Sequence, residues 1–158
     1  MQQSVPQVDL ENANAEESSE HPKCHPAGGQ PWTFELVAAN EKQSFHEVGT
    51  IVWVTAKVLQ APDIQYTPGM LVSIKIGGLG HPTKNNAAQG RLKALLGSCC
   101  RESTTAQYPT GHWAARRGQL LGGQLAGATF MATFTLKGNK RNERGELMQA
   151  LVPSFQVA

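Results

Sequence analysis

Apolar and polar residues alternate with a period of two in four separate runs of this 158-residue chain, and no other feature limits its fold as much. Trp32, Phe34, Leu36 and Ala38 share one side of the run from Trp32 to Ala39, as alternate side chains of an extended strand must. The polar stretch 40–47 then reads as a hairpin loop. From Gly49 to about Gln60, Val52, Val54, Ala56 and Val58 alternate against Ile51, Trp53, Thr55 and Lys57. Two prolines and a Pro-Gly pair turn the chain within residues 61–69. Met70, Val72, Ile74 and Ile76 then line one side of a third strand, Met70 to Gly77. Ala128, Phe130, Ala132, Phe134 and Leu136 mark a fourth, Leu125 to Lys137. A loop at residues 138–145 leads into a fifth, Glu146 to Val157.

Helical spacing occurs once. Leu92, Leu95, Leu96 and Cys99 recur at helical intervals, which predicts a helix over Asn85 to Cys100 with Asn85 or Asn86 as its cap. Gly90 and Gly97 weaken it, so it needs packing. Residues 77–80, Gly-Gly-Leu-Gly, read as a flexible turn entering this helix. The polar, glycine-rich residues 101–124 read as a functional excursion or a mobile loop, being too long for a simple turn. Three strands, one helix and two strands predict a mainly β domain, a five-stranded OB-fold-like Greek-key barrel with one helix between strands 3 and 4. Such barrels often bind oligonucleotides across strands 2 and 3 and loops 1–2 and 4–5. Another five-stranded arrangement with one helix satisfies the same pattern.

Charge divides the chain. Residues 1–30 hold five acids (Asp9, Glu11, Glu16, Glu17, Glu20) against Lys23, whereas residues 31–158 hold 13 Lys/Arg and 7 Asp/Glu. The first segment has too little apolar surface to offset its ordering entropy and is expected to be a disordered acidic tail. The rest is one domain, residues 31–158. Its basic balance favours a polyanionic partner, although ordinary solvated surface accounts for it equally.

On the expected barrel, the 4–5 loop gathers Lys137, Lys140, Arg141 and Arg144. Trp53 and Lys57 lie on strand 2 and Lys75 on strand 3, opposite the aliphatic rows. Single-strand binders combine cations that follow phosphates with flat rings on which bases stack. Trp53 either does this or closes a second side of the core. Trp113, Arg116 and Arg117, with Tyr108 and His112, form a further mixed aromatic and basic stretch; it either grasps a strand or anchors the loop through Trp113. Phe130 and Phe134 read as core.

Other chemistry is poorly supported. His21, Cys24 and His25 lie close together but lack a second spaced ligand pair. The glycine run 77–80 and Lys84 lack the spacing of a phosphate-binding loop. No serine occupies a nucleophile elbow and no carboxylates are paired for acid–base work. The expectation is a non-enzymatic protein without cofactor, metal or small-molecule substrate. The N-terminus lacks the basic start and apolar block of a secretory signal, no stretch is apolar for ~20 residues, and three cysteines make no disulfide framework. A cytoplasmic setting, without membrane association, is expected.

The chain from Trp32 to Val157 resembles small phage-encoded single-stranded DNA-binding proteins of the OB type. The resemblance rests on the strand ending near Lys57 and the Pro68-Gly69 entry to strand 3. It also rests on Gly90-Arg-Leu-Lys-Ala-Leu-Leu-Gly97, Leu120-Leu-Gly-Gly-Gln-Leu-Ala-Gly127 and a Lys-rich 4–5 turn before a strand closing near Pro153. It implies sequence-tolerant, cooperative coating of single-stranded DNA in phage or mobile-element replication and recombination, by a homo-oligomer in the host cytoplasm. Many such proteins carry an acidic tail at the C-terminus; here the acidic segment is N-terminal, where it can compete with DNA for the basic face. RNA is a further possible ligand. The rival expectation is a virion or assembly protein that uses the barrel for protein contacts.

Overall fold

A computed structural model describes residues 21–45 and 47–157. Its strands are β1 (Trp32–Gln43), β2 (Thr50–Gln60), β3 (Leu71–Leu79), β4 (Thr129–Arg141) and β5 (Leu147–Gln156), with helices α1 (Asn85–Cys100) and α2 (His112–Leu121) between β3 and β4. All five strands belong to one antiparallel sheet in the order β3-β2-β1-β4-β5. The end strands β3 and β5 come together across a cleft, with no hydrogen-bonded ladder between them among the described residues. The fold is therefore mainly β with five strands, as the alternation predicts.

The core lies on the face that the alternation selects. Trp32, Phe34 and Leu36 of β1, Val52 to Val58 on alternate positions of β2, Val72, Ile74 and Ile76 of β3, and Phe130, Ala132 and Phe134 of β4 are all buried together. Full burial of each large apolar side chain is worth ~1.5–3 kcal/mol. A bulge in β1 breaks the row. Leu36 pairs with Ala56 but Ala38 pairs with Thr55, so Val37 is an extra residue. The faces exchange beyond it: Ala38, expected inside, is exposed, and Ala39 packs on the core instead.

Helix α1 buries Ala88, Leu92, Leu95, Leu96 and Cys99, a stripe at the spacing of one helical face. Ser98, also buried, donates to the Gln156 carbonyl (2.5 Å) and accepts from the Met131 amide (3.1 Å), tying the helix to β4 and β5. Its N-terminus differs from expectation. Lys84 holds the cap position without a side-chain bond, because Asn85 Oδ1 accepts from the Gly80 amide (2.7 Å) instead.

Other expectations need correction. Residues 40–43 continue β1, pairing with 50–53 of β2, so the first hairpin loop is short. Gly77 and Gly78 lie within β3, next to a register shift against β2. The segment 101–124 is not simply a loop, since it contains α2. A single helix was expected because Gly111, Gly118 and the polar residues around them obscure the Trp113–Leu120 spacing. Ion pairs to distant strands and loops supply what the helix itself lacks. Residues 21–30, expected as tail, pack on the domain. Cys24 is buried, and Lys23 makes a parallel bridge to Ser73 on β3. The first 20 residues of the expected tail lie outside the described residues.

Gly49 closes the β1–β2 turn at φ +119°, where a Cβ would collide with the Leu79 carbonyl oxygen. Backbone strain of this kind costs of order 1–3 kcal/mol before any collision. Gly49→Ala is therefore expected to lower the urea midpoint by at least ~1 kcal/mol equivalent with an unchanged m-value. An unaltered midpoint would show that this turn rearranges freely.

Candidate nucleic-acid interface

Beyond Phe134 the β4–β5 hairpin leaves the core. Residues 135–141 and 147–150 are exposed, so the two strands continue as a ribbon. Asn142 closes its tip, its Oδ1 accepting from the amides of Arg144 (2.9 Å) and Glu146 (2.9 Å). The ribbon carries Lys137, Lys140, Arg141 and Arg144, which the sequence groups together.

A bulge sets their directions. Lys137 pairs with Ala150 and Lys140 with Met148, so Gly138 and Asn139 together oppose Gln149. Ala150 and Met148 lie two residues apart on one face of β5. Lys137 and Lys140 consequently face the same way, which a regular strand would forbid at a separation of three. Gly138 makes the bulge possible, with φ +137° and Met148 O only 2.5 Å from where a Cβ would stand. The strand is thus longer than the expected loop boundary at residue 138. Lys137 and Lys140 have no acidic partner among the described residues, Arg141 donates to the Gly145 carbonyl (2.8 Å), and Arg144 makes an exposed pair with Glu146 (3.2 Å).

Two depressions flank the ribbon. On the Lys137 side, a groove of about 300 Å³ runs against α1 and includes Arg91. On the other side, the cleft of about 310 Å³ between β3 and β5 includes Lys23 and Lys75. Arg91 and Lys23 were not singled out in the sequence. Nothing local distinguishes Arg91 on its helix, and Lys23 falls in the segment assigned to the tail.

The remaining sequence candidates have other surroundings. Trp53 lies on the face opposite the core row, paired with Lys75, but is only 7% exposed, with Lys23 Nζ 5.8 Å from its ring centre. Its ring face is not open for stacking in this arrangement. Lys57 lies 3.9 Å from Glu35 on the neighbouring strand. Trp113 makes edge contacts with Tyr108 and His112 and receives Lys93 Nζ at 5.4 Å, as an anchor between the helices. Arg116 grips Glu102 through both oxygens (2.9 and 2.8 Å), and Arg117 grips Glu41 (2.7 and 2.6 Å). The structure does not bring Arg116 and Arg117 to the ribbon; it uses them to hold α2. Phe45, in the β1–β2 loop and 74% exposed, is an aromatic that the polar character of its neighbours conceals.

No protein-family model matches the chain, and a search of curated proteins finds no match. The local chemistry thus carries the functional argument. Among the described residues no cluster of His, Cys, Asp or Glu could hold a metal ion, and no helix is long and apolar enough to cross a membrane. His25 engages Asp63, while burial pushes the thiols of Cys24 and Cys99 up to about 12.

The pair holding α2 has a pH signature. The Arg116 guanidinium beside Glu102, aided by His112 Nε2 at 3.0 Å, holds the carboxyl below its ordinary 4.5. At Glu41 burial acts in the opposite direction, but bonds from Thr50 and Arg117 outweigh it and the carboxyl is again lowered. Carboxylates lowered on folding stabilise above their unfolded value and lose that contribution as pH falls below it. Urea unfolding from about pH 6 to 3 should therefore show declining stability below about pH 4.5, and Glu102→Gln should flatten that decline. A Glu102→Gln profile parallel to wild type would remove the pair from the account.

Proposed function

We propose that this domain binds single-stranded DNA in a sequence-tolerant way, without enzymatic activity, through the β4–β5 ribbon and the depressions on either side of it. The observation that carries this reading is the concentration of Lys137, Lys140, Arg141 and Arg144 on an exposed ribbon, with Arg91 on one flank and Lys23 and Lys75 on the other. Phosphate neutralisation by such cations supplies most of the affinity in non-specific binding.

The strand order supports the reading as an OB-type barrel. Joining the sheet's two end strands would close a five-stranded barrel, and in barrels of this type the loop between strands 4 and 5 and the face of strands 2 and 3 bind oligonucleotides. A ribbon can follow an extended strand, since its exposed backbone places a side chain on each face every ~7 Å. Stacking on Trp53 is not part of this proposal, because that ring is covered. Replication or recombination in a phage or mobile element is the setting that the family resemblance suggests.

Fluorescent oligo-dT titrated at several salt concentrations tests this. Submicromolar binding at low salt should weaken steeply as salt rises. Replacing Lys140, Arg141 and Arg144 together by Ala should make the log–log slope shallower by about 2, at ~0.7 per lost phosphate contact on single strands. No binding at low salt, with ordered self-assembly in light scattering, would favour an assembly protein instead.

A further inference from the structure

The N-terminal approach to the sheet reaches one of these depressions directly. Ser73 on β3 donates its amide to the Pro22 carbonyl (2.9 Å), and its Oγ accepts from the His21 amide (3.2 Å). From the other side the Tyr66 hydroxyl donates to the Lys23 carbonyl (2.6 Å). Lys23 is therefore held at the backbone on both sides, while its side chain is exposed and reaches over Trp53 into the cleft between β3 and β5. The cleft has two unlike walls. Lys23 and Lys75 supply positive charge along the β3 side, and Leu136, Leu151 and Pro153 supply an apolar surface on the ribbon side, with Gln149 among them.

We infer that this cleft receives one nucleotide unit of the bound strand, with its phosphate on Lys23 and Lys75 and its base against Leu136, Leu151 and Pro153. Its volume of about 310 Å³ falls at the lower end of the range for small-ligand sites, ~300–1,000 Å³. A free inorganic anion would engage the lysines but leave the apolar wall in water. A sulfated polysaccharide would likewise gain nothing from that wall. A nucleotide has both parts, an anionic group and a flat apolar ring whose edge can exchange hydrogen bonds with the Gln149 amide. The pinned backbone at residues 21–23 holds the lysine in place before a strand arrives, which lowers the ordering cost of binding.

This inference rests on the single-strand reading, and the test separates the two. Oligo-dT carrying 5-iododeoxyuridine is bound to the full-length protein, irradiated, and the attachment sites mapped by mass spectrometry. Crosslinks within residues 134–136 or 149–153, together with a loss of at least tenfold in affinity for Lys23→Glu, are expected. Leu151→Gln should diminish the cleft crosslinks, and circular dichroism identifies whether that variant stays folded. Gln149→Ala, on an exposed position, gives a second wall variant that leaves the core untouched. Tight binding with every crosslink outside the cleft, or with Lys23→Glu binding as wild type, overturns the cleft assignment and leaves single-strand binding standing. Absence of oligo-dT binding by the wild type overturns both.

Discussion

β1 is shared between two partners, and the rest of the architecture depends on how it is shared. It pairs with β2 along most of its length but with β4 only through Trp32–Glu35. The Val37 bulge divides these two regimes, and the local increase in twist that accompanies a bulge lets the sheet curl. Under the first half lies the aromatic cluster. Trp32 and Phe34 are stacked 5.9 Å apart, Phe130 approaches Phe34 at 5.2 Å, and Phe134 stands edge-on to Trp32 at 5.8 Å. This cluster fixes β4 against β1, and so fixes the direction in which the ribbon leaves the domain.

The ribbon itself has no such support. Past Phe134 the ribbon leaves the core, and Leu136, Leu147 and Met148 remain exposed. Its cations meet few acids, because Glu143 and Glu146 are the only carboxylates in that hairpin. A cation held in water by a flexible side chain loses little by exchanging solvent for phosphate, and the counterions it releases favour binding. Arg116 and Arg117 are in the opposite position. Each is already matched to a carboxylate in bidentate or forked geometry, which is among the stronger charged contacts. Recruiting them to a ligand would release α2. Equal formal charge therefore separates into two populations, one that holds the fold together and one that stays exposed on the ribbon.

The strand runs could be read in advance because burial of one sheet face imposes a two-residue period on each strand by itself. The helix Asn85–Cys100 was equally legible from its leucine spacing. The bulges were not. An extra residue at Val37 or at Gly138–Asn139 depends on hydrogen bonding between strands, so Ala38 appeared to belong inside and Lys140 to a loop beyond the strand. α2 was hidden for a related reason: its stabilising carboxylates, Glu102 and Glu41, belong to a preceding loop and to β1. Among the candidate residues, the ribbon cluster was visible because its members are neighbours in sequence, whereas Lys23 gained its place only through the bridge to Ser73.

Sequence alone determined the number of strands, the inward side of the first four apart from β1 beyond its bulge, and the excess of positive charge at the last hairpin. These follow from local periodicity and composition, which each segment expresses without reference to the others. Tertiary structure alone decided which cations are spent on carboxylates, that Trp53 is covered, and that the approach to β1 brings a lysine to the cleft between the end strands. Each of these turns on distances between segments remote in the chain, and such distances arise only when the core has brought those segments together.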